Sequence, residues 1–141
     1  MSKANDIQHG GNHYKRAGAI QHWDLCGKYK VGYFESAASK YVSRHDQKNG
    51  LQDLQKASHY IEKRLELAKQ FPETHSEPEG SVPIGEVLDW CDSLELNTPE
   101  DIICIALLSW GQLFDLEIAL VVLEDLKLER YPEHAKTLSP E

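Results

Sequence analysis

The chain is short of several things, and each shortage removes a class of protein. No run of about 18 apolar residues occurs in its 141 residues, so no segment has the length and hydropathy of a membrane-spanning helix. The opening stretch, MSKANDIQHGGNHYK, holds no apolar core of the kind a secretory signal needs, and a cytoplasmic protein is expected. Cysteine is scarce: Cys26, Cys91 and Cys104 form no C-x-x-C pair, which argues against a disulfide framework and against zinc. Each lies among apolar residues and reads as a buried, reduced thiol. No Walker A loop, G-x-G-x-x-G, G-x-S-x-G or H-E-x-x-H motif is present, so P-loop enzymes, dinucleotide folds, hydrolase triads and zinc proteases have no positive support.

What is present is a foldable chain with an uneven charge. Hydrophobic residues make up 40% and charged residues 27%, too apolar for global disorder. Residues 1–71 carry twelve Lys/Arg against seven Asp/Glu, a net +5, whereas residues 72–141 carry three against sixteen, a net −13. Such a division fits two functions, two mutually attractive surfaces, or simply a dipolar solvated exterior. The change of sign coincides with a stretch rich in Pro, Gly and acids, Phe71-Pro72-Glu73 to Pro78-Glu79-Gly80-Ser81, whose composition favours an extended exposed linker.

Periodicity predicts helices throughout. A short one is expected within residues 20–29. Residues 33–48 place Phe34, Ala37, Ala38, Tyr41, Val42 and His45 at helical spacing, and Asn49-Gly50 stops them. Residues 51–69 repeat apolar positions at three- and four-residue steps, so the two segments form an antiparallel helical hairpin. Downstream, helices are expected over 84–94, 101–113 and 116–130, with Thr98 as N-cap and Pro99 at the first helical position. The last two are apolar on nearly all sides, so the first half or another subunit must cover them. The reading is all-α: a basic N-terminal hairpin region (1–71), a linker (72–82) and a small acidic helical region (83–141) for assembly in a homo-oligomer.

Lys40, Arg44 and Lys48 follow at i, i+4 and i+8 along one helix, and Lys56 on the next helix can approach the same edge. Converging Lys and Arg are what phosphate recognition needs, Arg as a planar fork and Lys as a point charge. Exposed cations are also ordinary on a solvated helix face. Tyr41 and Tyr60 beside them can stack on a base or fill the hairpin interface. The run Gly10-Gly11-Asn12-His13-Tyr14-Lys15 can offer backbone N–H groups and charge to an anion, or be a plain terminus. Asp24 and Asp53 can hold Mg2+ beside phosphates; Asp24 can equally pair with Arg44 or Lys56, and Asp53 suits the start of a helix electrostatically.

Taken in order, His13-Tyr14-Lys15, Ile20-Gln21-x-Trp23-Asp24, Phe34, Lys40-Tyr41, Arg44, Lys48-x-Gly50, Asp53-Leu54, Lys56-Ala57 and Tyr60 resemble the SaV-like phage family, long labelled a domain of unknown function. The resemblance covers about residues 8–66. Members are often named phage nucleotide kinases, so it implies a phage or prophage protein in a bacterial host cell, with a nucleotide as ligand. Where the family commonly has Gly-Asn-Ala before the Lys-Tyr pair, this chain has Ser36-Ala37-Ala38, which bears on catalysis more than on fold.

The expected function is a nucleoside monophosphate kinase without a Walker loop. Arg44, Lys40 and His13 are the catalytic candidates. Tyr14, Lys15, Trp23, Tyr41, Lys48, Lys56 and Tyr60 are expected to bind the nucleotide, and Asp24 and Asp53 the Mg2+. The alternative is a module that binds a nucleotide or a host protein and catalyses nothing. The acidic second half argues against a nucleic-acid partner.

Overall fold

The computed structural model describes residues 20–135. Among them the regular elements are all helical. α1 spans His22–Tyr29 and α2 Tyr33–Arg44; a 3-10 turn, His45–Gln47, leads to α3, Leu51–Gln70. After a single helical turn, α4 (Pro72–His75), come α5 (Ile84–Ser93), α6 (Thr98–Leu108) and α7 (Leu113–Arg130).

Three boundaries differ from the sequence expectation. Helix α2 stops at Arg44 instead of continuing to residue 48, because the His45 carbonyl accepts the N–H groups of both Lys48 and Gly50, at 3.4 and 2.9 Å, and tightens the chain. Gly50 then takes a φ of +58°, a left-handed value that favours glycine. A Cβ there would also approach the Tyr131 ring to 3.3 Å. Between α6 and α7 the break falls earlier than expected. Gln112 and Asp115 form a capping box that starts α7 at Leu113, with the Asp115 carboxylate also accepting the Gly111 N–H at 2.9 Å. At the start of α6 the N-cap is Asn97, not Thr98, and Pro99 sits in the first turn where its missing N–H is harmless.

The hairpin of α2 and α3 packs against the hairpin of α6 and α7, α2 facing α6 and α3 facing α7, with α5 alongside α6. Ala38, Val42, Leu54, Ala57 and Ile61 from the first pair meet Ile103, Leu107, Leu116, Ala119 and Leu123 from the second in one hydrophobic core. The basic and acidic regions therefore share a core, and much of the apolar surface of α6 and α7 is covered within the chain. Charged contacts tie the two hairpins at their margins. Arg130 of α7 grips both oxygens of Asp46 at 3.0 and 3.1 Å. Buried Glu35 of α2 accepts the Trp110 indole N–H at 2.8 Å and pairs with buried Arg64 of α3 at 3.4 Å.

Residues 72–82 are built into this body. The Arg64 guanidinium donates to the carbonyls of His75 and Glu77 at 2.7 and 3.1 Å. Val82 is buried, and its N–H reaches the Leu108 carbonyl at 2.8 Å. Gly80 lies so close to the α1–α2 connection that a Cβ would collide with the Tyr29 carbonyl oxygen. Only glycine lets the two backbones pass.

Candidate functional site

The sequence stripe and the hairpin turn together create one focused feature. Lys40 and Arg44 are one turn apart on α2, and Lys56 and Tyr60 one turn apart on α3; the antiparallel pairing brings both pairs around Tyr41. The Arg44 guanidinium carbon stands 4.5 Å from the centre of the Tyr41 ring, Lys56 Nζ 5.3 Å and Lys40 Nζ 5.9 Å. All three lie within cation–π range of one ring. Tyr60 stacks on Tyr41 nearly parallel, at 5.9 Å and 14°, and Tyr33, edge-on, and Phe34, tilted, extend the aromatic cluster from Tyr60. Beside it lies a groove of about 550 Å3 lined by Phe34, Tyr41, Gln52, Lys56, His59 and Tyr60 among others.

The electrostatics match a site short of negative charge. Partial burial holds the Lys40 ammonium below its ordinary pKa, helped by Arg44 and Lys48 and opposed by Asp53. An arriving phosphate would relieve the mutual repulsion of these cations.

Asp53 has a different task from the one the sequence proposed. Its side chain is fully buried. One oxygen, Oδ2, accepts the Asn49 N–H at 3.2 Å and faces Arg44 Nε at 3.5 Å. Asp53 thus fixes the turn and orients the guanidinium over Tyr41. Mg2+ usually keeps several waters, and a fully enclosed carboxylate leaves no room for them, so Asp53 does not fit as a metal ligand. Asp24 and Trp23 are exposed on α1. Lys48, which the spacing placed on the α2 face, instead follows the 3-10 turn and is exposed there, close enough to act on Lys40. His13, Tyr14 and Lys15 lie outside the described residues.

Another group of potential metal ligands does come together: His45, Asp46 and Glu100. His45 is buried, with Nε2 2.8 Å from a Glu100 oxygen and Nδ1 2.7 Å from the Tyr131 hydroxyl. Arg130 bridges the two carboxylates, 3.0 Å from Asp46 and 3.4 Å from Glu100. The positive charge a metal would supply there is already provided by the guanidinium. This network joins the end of α2 to α6 and α7.

Sequence reasoning missed His22. Its Nε2 lies 2.9 Å from the Ser39 hydroxyl, one residue from Lys40, and its ring packs on Trp90 at 5.2 Å. Partial burial, with Lys40 nearby, lowers its pKa from 6.5 to about 4. A lone His in a short helix gives no sequence signal of this environment. The folded state disfavours the protonated ring, so the contribution of His22 to stability is complete above pH 6.5 and is lost as pH falls toward 4. Between pH 7.5 and 4.5, urea titrations of the wild type should show a larger loss than those of His22→Gln. The difference should be on the order of 2 kcal/mol; equal losses would contradict a half-buried ring held neutral.

Residues 9–62 match the model of a family described as a protein of unknown function (DUF3310). The match takes in α1, α2, the turn and the first part of α3, and so every described cation and aromatic of the groove named above up to Tyr60. No curated protein and no solved structure matches the chain.

Proposed function

We propose that the groove beside Tyr41 is a nucleotide site and that the chain is a SaV-like phage or prophage enzyme transferring phosphate to nucleoside monophosphates in the host cytoplasm. The observation that carries this reading is the convergence of Lys40, Arg44 and Lys56 on the face of one tyrosine that stacks on a second. Cations and aromatic faces side by side are what a phosphate joined to a base requires. Phosphoryl transfer asks a protein mostly for positioning and for charge placed around the moving group. Arg44 supplies a fork held by Asp53, and Lys40 and Lys56 supply point charges on either side. Tyr60 or Tyr41 would receive the base. Mg2+ would arrive with the phosphates, and its charge would offset theirs; Asp24 is the remaining candidate to touch it.

One observation favours a module that binds without catalysis. The described lining of the groove contains Gln, Lys, His and aromatic side chains but no carboxylate to accept a proton from an attacking group. His59 is the lining residue best suited to that role, since imidazole has its unperturbed pKa nearest neutrality.

A thermal-shift series with each deoxynucleoside monophosphate, with ATP, and with both, each with and without Mg2+, tests the site. A ligand at a hundredfold excess over Kd adds about 2.7 kcal/mol to stability. The expected result is a rise in Tm with at least one nucleotide that Lys56→Ala abolishes. If no nucleotide at millimolar concentration moves Tm, the nucleotide reading fails.

A further inference from the structure

The opposite side of the molecule carries a feature that the nucleotide groove does not use. Along α7, Phe114, Ile118, Val121 and Leu128 follow at offsets of four, seven and fourteen residues, which places them on one helix face. All four are exposed, Phe114 and Val121 at 63% each. This stripe borders a groove of about 350 Å3 floored by Ile84, Ile102, Ile105 and Ile118. From Phe114 to Leu128 it extends about 21 Å, the length of roughly four helical turns. An apolar face of this extent marks an interaction surface.

Charge identifies what fits it. Between Gln70 and Lys127 the chain contains no Lys or Arg at all. Exposed Glu117 and Asp125 interleave with the stripe on α7, and Asp115 borders the groove. A second copy docked face to face would set these acids against their own counterparts, which like-charge repulsion disfavours. A helix that carries aliphatic residues at i, i+3 or i+4 and i+7, flanked by Lys and Arg, satisfies both the groove and its rim.

We propose that the α6–α7 face is a docking site for a basic amphipathic helix of a partner protein. The aliphatic anchors of that helix enter the Ile84–Ile102–Ile118 groove, and its cations meet Glu117 and Asp125. The proposal is independent of the nucleotide reading, since no residue is shared.

The probe is an 18-residue Leu/Lys peptide patterned as an amphipathic helix. It is compared with a scrambled peptide of the same composition and with a Leu/Glu peptide of the same pattern. Each is titrated into the full-length protein by calorimetry at 0.15 M salt. The amphipathic Leu/Lys peptide is expected to bind at least tenfold more tightly than the scrambled one, and the Leu/Glu peptide not at all. Ile118→Ser and Val121→Ser change exposed positions and should keep the fold, checked by their melting curves; each should weaken binding at least tenfold. Lys56→Ala, in the other groove, should leave it unchanged. Equal binding of the ordered and scrambled peptides would mean charge attraction alone and would overturn the proposal. Sedimentation showing a dimer that Ile118→Ser dissociates would also overturn it, since a second copy would then be the occupant.

Discussion

Replacing Arg64 with methionine is expected to destabilise the fold by about 3–5 kcal/mol, the cost of leaving a buried carboxylate without its cation. Methionine preserves most of the apolar stem and removes the guanidinium. Glu35 would then keep only the Trp110 indole N–H, and the carbonyls of His75 and Glu77 would lose their donors. One residue thus holds α2, the 72–82 segment and the α6–α7 connection in register. The double variant Glu35→Gln/Arg64→Met should recover at least half of the loss, because a neutral amide can still accept from Trp110 while no charge is buried. Urea unfolding followed by circular dichroism measures both. A loss below about 1 kcal/mol in the single variant would show that solvent reaches Glu35 and that the pair is a surface contact.

The sequence made the hairpin legible and left this clamp invisible, for a physical reason. Helix periodicity and the Asn49-Gly50 stop are local signals, and they place α2 and α3 within a few residues of where they lie. The basic stripe could be read for the same reason: Lys40 to Arg44 and Lys56 to Tyr60 are one-turn relations, and a tight turn makes them neighbours. Lys48 departs from the stripe because a tertiary network, His45 with Glu100 and Tyr131, coincides with an early end to the helix, and helical spacing carries no information about residues 55 and 86 positions away. Glu35, Arg64 and Trp110 are similarly remote from one another. The Pro, Gly and acidic side chains of residues 72–82 suit a largely exposed connection, while the backbone carbonyls and Gly80, which composition does not weigh, attach the segment to the body. The role of Asp53 was half legible: its place in the first turn of α3 could be read, its grip on Arg44 could not.

Arg44→Lys is expected to lower kcat by about a hundredfold if the groove transfers phosphate, the usual consequence of removing one preorganised donor. Lysine keeps the charge and loses the planar fork that Asp53 aligns over Tyr41. Substrate affinity should fall much less than turnover, because charge moves among the phosphoryl oxygens only during transfer, and a donor fixed in place is worth most at that moment. Asp53→Asn offers a control that leaves Arg44 itself intact. It keeps an acceptor for the Asn49 N–H but weakens the hold on the guanidinium, so kcat should fall with KM little changed. A site that binds without catalysis gives a different pattern: no turnover in any variant, and a weaker nucleotide Kd in Arg44→Ala. A single-strand binder gives a third, with affinity falling steeply as salt rises and the slope reduced by about one for each phosphate contact removed. Initial rates of phosphate transfer, with nucleotide and oligonucleotide titrations on the same three variants, separate these patterns. If Arg44→Lys and Arg44→Ala leave both turnover and affinity unchanged, the cations around Tyr41 are a solvated helix face and the groove is not the site.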